Sequence, residues 1–240
     1  MAKLSELILR ASEVTGIPVA TVREVSRRLR EANLIQTGQG GRYGGADMTS
    51  RDAASLLTAL LIARASSVSL SNIVPLTRSH LRDLRSYFPN SDRLLLGHWD
   101  RKLALAQLCS LPRGHTFGDA FSALIASIPN GDLKRAIADW AANRPRGVAP
   151  FFRFAVSVNG PRPHPEAMIE FEAPAFVSLE LYYLRPRDVQ SKKLIVPNAP
   201  RKWADLPDDG DFDLTVQARV TETTLSSIGR LLSKPEAKDA

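Results

Sequence analysis

The chain has 240 residues, a single cysteine, 44% hydrophobic and 24% charged residues, and a formal net charge of +7. This composition is ordinary for a globular protein; one cysteine, Cys109, excludes an internal disulfide framework, and no apolar run reaches the roughly 18 residues that span a bilayer. The N-terminal "MAKLSELILR" carries acid and lacks a cleavage site, so it does not read as a secretory signal, and the expected compartment is the cytoplasm.

In chain order, the spacing of Leu4, Leu7, Ile8, Ala11 and Val14 or Thr15 predicts a helix over 4–15. "TGIP" ends it: Gly16 accepts a positive φ, and Pro18 bars Ile17 from the α region while suiting the first turn of a following helix. That second helix is expected from about Val19 to Ala32. Its buried stripe is Val22, Val25, Leu29 and Ala32, and another face carries Arg23, Arg27 and Arg30, with Thr21, Glu24 and Arg28 beside them. A glycine-rich segment over 36–47 follows. "MTSRDAASLLTALLIAR" then starts a helix, with Thr49 or Ser50 as N-cap and Asp52 near the positive end of its dipole. Its apolar content suffices to face both its own domain and a partner.

From 66 to about 143, "LTRSHLRDLRSYF", "WDRKLALAQLCSL", "HTFGDAFSALIASI" and "GDLKRAIADWAA" each predict one helix, with Pro89, Pro112 and Pro129 in the breaks. After "NRPRGVAP" the pattern turns to strands: "FFRFAVSV", "AMIEFEA", "FVSLELYYL", "SKKLIV" and "FDLTVQARVT". "TTLSSIGRLLS" is a closing helix. The fold class expected is α+β: an N-terminal unit over 1–64, a helical linker or oligomerisation region over 65–146, and a β-rich unit over 147–240.

Basic charge is densest at the start. Residues 1–46 hold seven basic against four acidic side chains, 47–143 eleven against eight, and 144–240 fourteen against thirteen. The N-terminal excess is mostly arginine, whose planar fork of donors matches phosphates and base edges. A helix–turn–helix with arginines on its second helix therefore points to nucleic acid, while an ordinary helical hairpin would carry the same spacing for packing alone.

The stretch "VREVSRRLREANLIQTGQGGRYGGADM", followed by a capped helix, resembles winged helix-turn-helix DNA-binding domains of bacteria and their phages. The resemblance covers about residues 1–64. It implies a recognition helix over 19–34 and a wing over 36–47, with "ANLIQT" entering and "GADM" returning. By that resemblance Arg42 reaches a minor groove or phosphate, and Tyr43 bonds a phosphate or packs on a sugar. Arg23 and Arg27 are expected to read bases, Thr21 and Arg28 to lie nearer the backbone, and Arg30 to complete the DNA-binding set.

Other chemistries find less. Walker A needs Gly-Lys-Ser/Thr after a strand, and here a helix precedes the glycines and no lysine follows them. The third glycine of a dinucleotide fingerprint falls on Tyr43. His80, His98, His115 and His164 lack zinc spacing, Cys109 sits in an apolar helical setting, and "DDGDFD" over 208–213 lacks a calcium loop's distal glutamate. No catalytic residue, metal or cofactor is expected. The reading is a sequence-specific transcription regulator, a homodimer on double-stranded DNA, with a C-terminal part that binds an effector or another protein. A phage or mobile-element packaging protein that grips DNA, and an adaptor that binds an acidic protein, stay open.

Overall fold

The computed structural model describes residues 2–37, 46–65, 69–87, 105–112, 114–142, 153–159, 166–173, 177–185 and 217–233. Helices α1 (Leu4–Thr15) and α2 (Val19–Glu31) occupy the two predicted spans. Gly16 adopts φ 69° and donates its N–H to the Ser12 carbonyl at 2.9 Å, a left-handed geometry that costs glycine nothing. The end of α2 is a Schellman turn built without glycine. Asn33 takes φ 57°, its N–H meets the Arg30 carbonyl, and the Leu34 N–H meets the Leu29 carbonyl at 2.8 Å. Leu29 and Leu34 are both buried, the apolar contact that accompanies such turns.

Helix α3 (Ser50–Ala65) starts from a box between Thr49 and Asp52. The Asp52 N–H donates to Thr49 Oγ1, and the Thr49 N–H returns a bond to Asp52 Oδ2 at 2.8 Å. Every residue from Asp52 to Ile62 is buried. A helix that is buried on all sides occupies the centre of a fold, and α3 packs on α2 and on elements from both later segments. This corrects the expectation that its surface also serves a partner: its own chain covers it.

Helix α4 (Ile73–Asp83) is shorter than the predicted "LTRSHLRDLRSYF". Its last three residues before Phe88 instead form strand β1 (Arg85–Tyr87), drawn out of the helix by pairing with a distant strand. Then come α5 (Ala106–Cys109), α6 (Phe117–Ala126) and α7 (Asp132–Ala142). Strands β2 (Arg153–Asn159), β3 (Ala167–Ala173), β4 (Val177–Leu184) and β5 (Gln217–Thr221) precede the closing helix α8 (Glu222–Leu232). The expected strand "SKKLIV" lies outside the described residues.

The sheet is antiparallel in the order β1-β4-β3-β2-β5. Its register stacks apolar rows across the strands: Val220–Val156–Ile169–Leu181, and Ala218–Val158–Ala167–Tyr183. These side chains are buried, and α3 and α8 pack against β2 and β5. On the other face Arg219 and Glu170 approach to 3.6 Å. Helix α8 also packs on α1, so the far end of the chain braces the start. One hydrophobic cluster joins Ala2, Leu29, Leu57, Phe121, Val156 and Ile228, so all three expected segments share it. The architecture is mixed helix and sheet, and no described helix is long and apolar enough to cross a membrane.

Candidate nucleic-acid interface

The outward face of α2 follows from its inward one. Val22, Val25, Ser26 and Leu29 are buried, which at 3.6 residues per turn turns Ala20, Arg23, Arg27 and Arg30 to solvent. Ser26 is tolerated inside because its hydroxyl donates to the Val22 carbonyl at 2.8 Å. Thr21 is half-buried.

The arginines are not equivalent. Arg23 and Arg30 are exposed and have no hydrogen-bond or ion-pair partner among the described residues. Arg27 is forked onto Glu24 at 2.9 and 2.8 Å and also pairs with Glu31. Arg28 donates Nε to Glu24 at 2.7 Å and Nη1 to the Leu70 carbonyl at 3.1 Å. The hydrogen bond from Arg27, then that from Arg28, pulls the Glu24 carboxyl down to about 2, and the same pair raises the Arg27 guanidinium further. So the row Arg23–Arg27–Arg30 reaches solvent, while Arg28 ties α2 to the turn before α4.

Two arginines outside the expected set steady this hairpin. Arg64 Nη1 donates to the Thr15 carbonyl at 3.2 Å, and Arg78 Nη2 donates to the Ala32 carbonyl at 3.3 Å. Each guanidinium thus meets a carbonyl at the negative end of a helix dipole. Part of the basic excess is therefore structural. Sequence spacing holds no signal for it, since the pairs are 49 and 46 residues apart.

The segment expected as the wing's return pairs with the N terminus. Lys3 and Asp47 form an antiparallel bridge, Lys3 Nζ meets Asp47 Oδ1 at 2.8 Å, and the Met48 N–H donates to the Ala2 carbonyl at 2.8 Å. The Lys3 ammonium holds the Asp47 carboxyl below its usual range. At the other end, the Gln36 N–H donates to Asp52 Oδ1 at 2.8 Å, which fastens the exit from α2 to the start of α3. Neither 34–37 nor 46–48 is part of a sheet ladder. Arg42 and Tyr43 lie outside the described residues, as do His98, His164 and the 208–213 loop.

The remaining candidates read as structure. His80 is buried in α4, with Nδ1 2.8 Å from the Leu76 carbonyl. Cys109 is half-buried at the end of α5. Among the described residues no three His, Cys, Asp or Glu side chains gather as a metal site. Compared with known proteins, the chain matches no family, no curated protein and no solved structure.

Proposed function

We propose that this chain is a sequence-specific DNA-binding protein, a transcription regulator, with α2 as the helix that enters the major groove. The observation that supports it is the solvent-facing row Arg23–Arg27–Arg30 on the second helix of a well-braced helix–turn–helix, with Arg23 and Arg30 unengaged among the described residues. Free guanidiniums at helical spacing suit base edges and phosphates. Arg27 joins them by exchanging its glutamates for phosphate, because exposed ion pairs within a helix are weak. Arg28 stays with Leu70 and positions the helix. Arg42 and Tyr43 would add minor-groove or backbone contacts, as the family resemblance implies, and Thr21 a backbone contact. A dimer would supply two half-sites, as helix–turn–helix proteins commonly need; with α3 covered by its own chain, its interface lies elsewhere.

The test is a gel shift with genomic fragments against random duplex at two salt concentrations, using the intact protein and an Arg23→Ala/Arg30→Ala variant. Each bidentate arginine–guanine contact is worth roughly 1–3 kcal/mol of discrimination, and about five phosphate contacts per protomer give a slope of roughly −4 to −5 in log affinity against log salt. Preferential binding to some fragments, lost in the variant, supports regulation. Salt-sensitive binding without preference supports packaging. A folded variant that binds duplex as tightly as the parent removes α2 from the interface.

A further inference from the structure

A second basic feature lies away from the exposed face of α2. A half-open cleft of about 710 Å³ runs between the exit of α2, the first turns of α3 and α6, the end of α4 and the start of β1. Arg51, Arg82 and Arg85 all line it, and all three are exposed. Among the described residues no carboxylate pairs with any of them; Arg85 donates only to the Gly114 carbonyl at 3.3 Å. The cleft also contains Asp52 and Asp119, and both are held in capping hydrogen bonds at the start of their helices. Asp52 accepts from the N–H groups of Gln36 and Thr49 and from the Thr49 hydroxyl. Asp119 Oδ2 accepts from the Thr116 N–H at 3.0 Å and the Thr116 hydroxyl at 2.7 Å. Each carboxylate sits in the first turn of a helix, where the positive end of the dipole offsets its charge. Among the described residues the three guanidiniums are thus left without a carboxylate partner.

We propose that this cleft binds phosphate oxyanions. Guanidinium forks meet phosphate with paired, charge-assisted hydrogen bonds. The three arginines come from three elements, one of them anchored by the buried helix α3, so little ordering is needed on binding. The volume exceeds a single phosphate and lies within the roughly 300–1,000 Å³ of small-molecule sites. Two sources share this chemistry: a phosphorylated small molecule, and a DNA backbone continuing from α2.

Titration calorimetry at low salt with pyrophosphate, and separately with a short duplex, distinguishes them. The variants are Arg51→Gln and Arg82→Gln, neither of which removes a hydrogen bond to the described part of the protein. Pyrophosphate binding, weakened at least about tenfold by each substitution with an unchanged melting temperature, is the expected result. Retention of that binding in Arg23→Ala/Arg30→Ala separates the cleft from α2, so the two proposals fail independently. Duplex binding that falls in the Arg51 and Arg82 variants, with pyrophosphate ignored, assigns the cleft to backbone phosphate. Pyrophosphate binding that survives both substitutions overturns the proposal, as does no pyrophosphate binding together with unaltered duplex affinity.

Discussion

The Glu24 carboxylate is forked onto the Arg27 guanidinium, at 2.9 and 2.8 Å, on the exposed face of the second helix. It also accepts from Arg28, so one acid offsets two of the four arginines of α2. If that face meets DNA, Glu24 competes with phosphate for Arg27 and adds its own repulsion. Glu24→Gln is therefore expected to raise duplex affinity and to steepen the log–log salt dependence by about one unit as one more cation becomes free for phosphate. Fluorescence anisotropy across a salt series reads both. Unchanged affinity and slope would place Arg27 away from the backbone.

A second carboxylate holds the base of the glycine segment. Asp52 is 2% exposed and accepts three hydrogen bonds, from Gln36 N–H, Thr49 N–H and Thr49 Oγ1. Asp52→Ala strands two backbone donors and removes a helix cap, at a cost of about 3 kcal/mol. Asp52→Asn keeps one acceptor and should lose about half of that. Urea denaturation compares them; equal midpoints for Asp52→Ala and the parent would mean water replaces the carboxylate.

The hairpin was legible because its pattern is local. Apolar residues at helical spacing, Gly16 and Pro18 define two helices whatever packs on them, and Thr49 with Asp52 announces the start of α3. Two features depended on partners far away in the chain. "RSY" continues the helical spacing of Leu81 and Leu84, and only the register with Tyr182–Leu184 makes it a strand. Arg28 looks like Arg27 in the sequence, yet the Leu70 carbonyl, 42 residues on, makes it a brace. Helix α3 carried its own signal: Ala53, Ala54, Leu56, Leu57, Ala59, Leu60, Leu61 and Ile62 cover every side, the mark of a central helix. Nothing local announced the arginine cleft, since Arg51 meets Arg82 and Arg85 only in the fold.

Gly229 marks a close crossing. A Cβ there would lie 2.5 and 2.6 Å from Cγ2 and Cβ of Ile128, and the Ile128 Cβ cannot rotate away. Alanine would gain about 1 kcal/mol of helix propensity, against overpacking of about 1–3 kcal/mol. With an immovable atom in the overlap, overpacking is expected to prevail, leaving Gly229→Ala destabilised by about 1 kcal/mol. Ile128→Gly in the same chain, which removes both overlapping atoms, should relieve the clash, giving a favourable coupling in the double-mutant cycle. Additive losses in that cycle would rule out the contact as the cause.

His115 ties the loop before α6 to the sheet. Its Nδ1 lies 3.0 Å from the Pro112 carbonyl and its Nε2 lies 3.1 Å from the Tyr183 hydroxyl. In the neutral ring Nδ1–H donates to Pro112 and Nε2 accepts from Tyr183, which is fully buried and, by that burial, keeps its proton at any ordinary pH. Burial depresses the His115 pKa, partly opposed by the Pro112 hydrogen bond and by Asp119. An unfolded histidine titrates near about 6.5, so below that pH the unfolded chain binds a proton that the native ring resists. Stability should be full above about pH 6.5 and fall as pH drops through the depressed native value. His115→Gln keeps a polar side chain but does not titrate. The melting temperature of the parent should therefore fall faster than that of the variant as the solution is acidified, the other three histidines contributing equally to both. Parallel curves would show that the ring is protonated as readily in the fold as in the open chain.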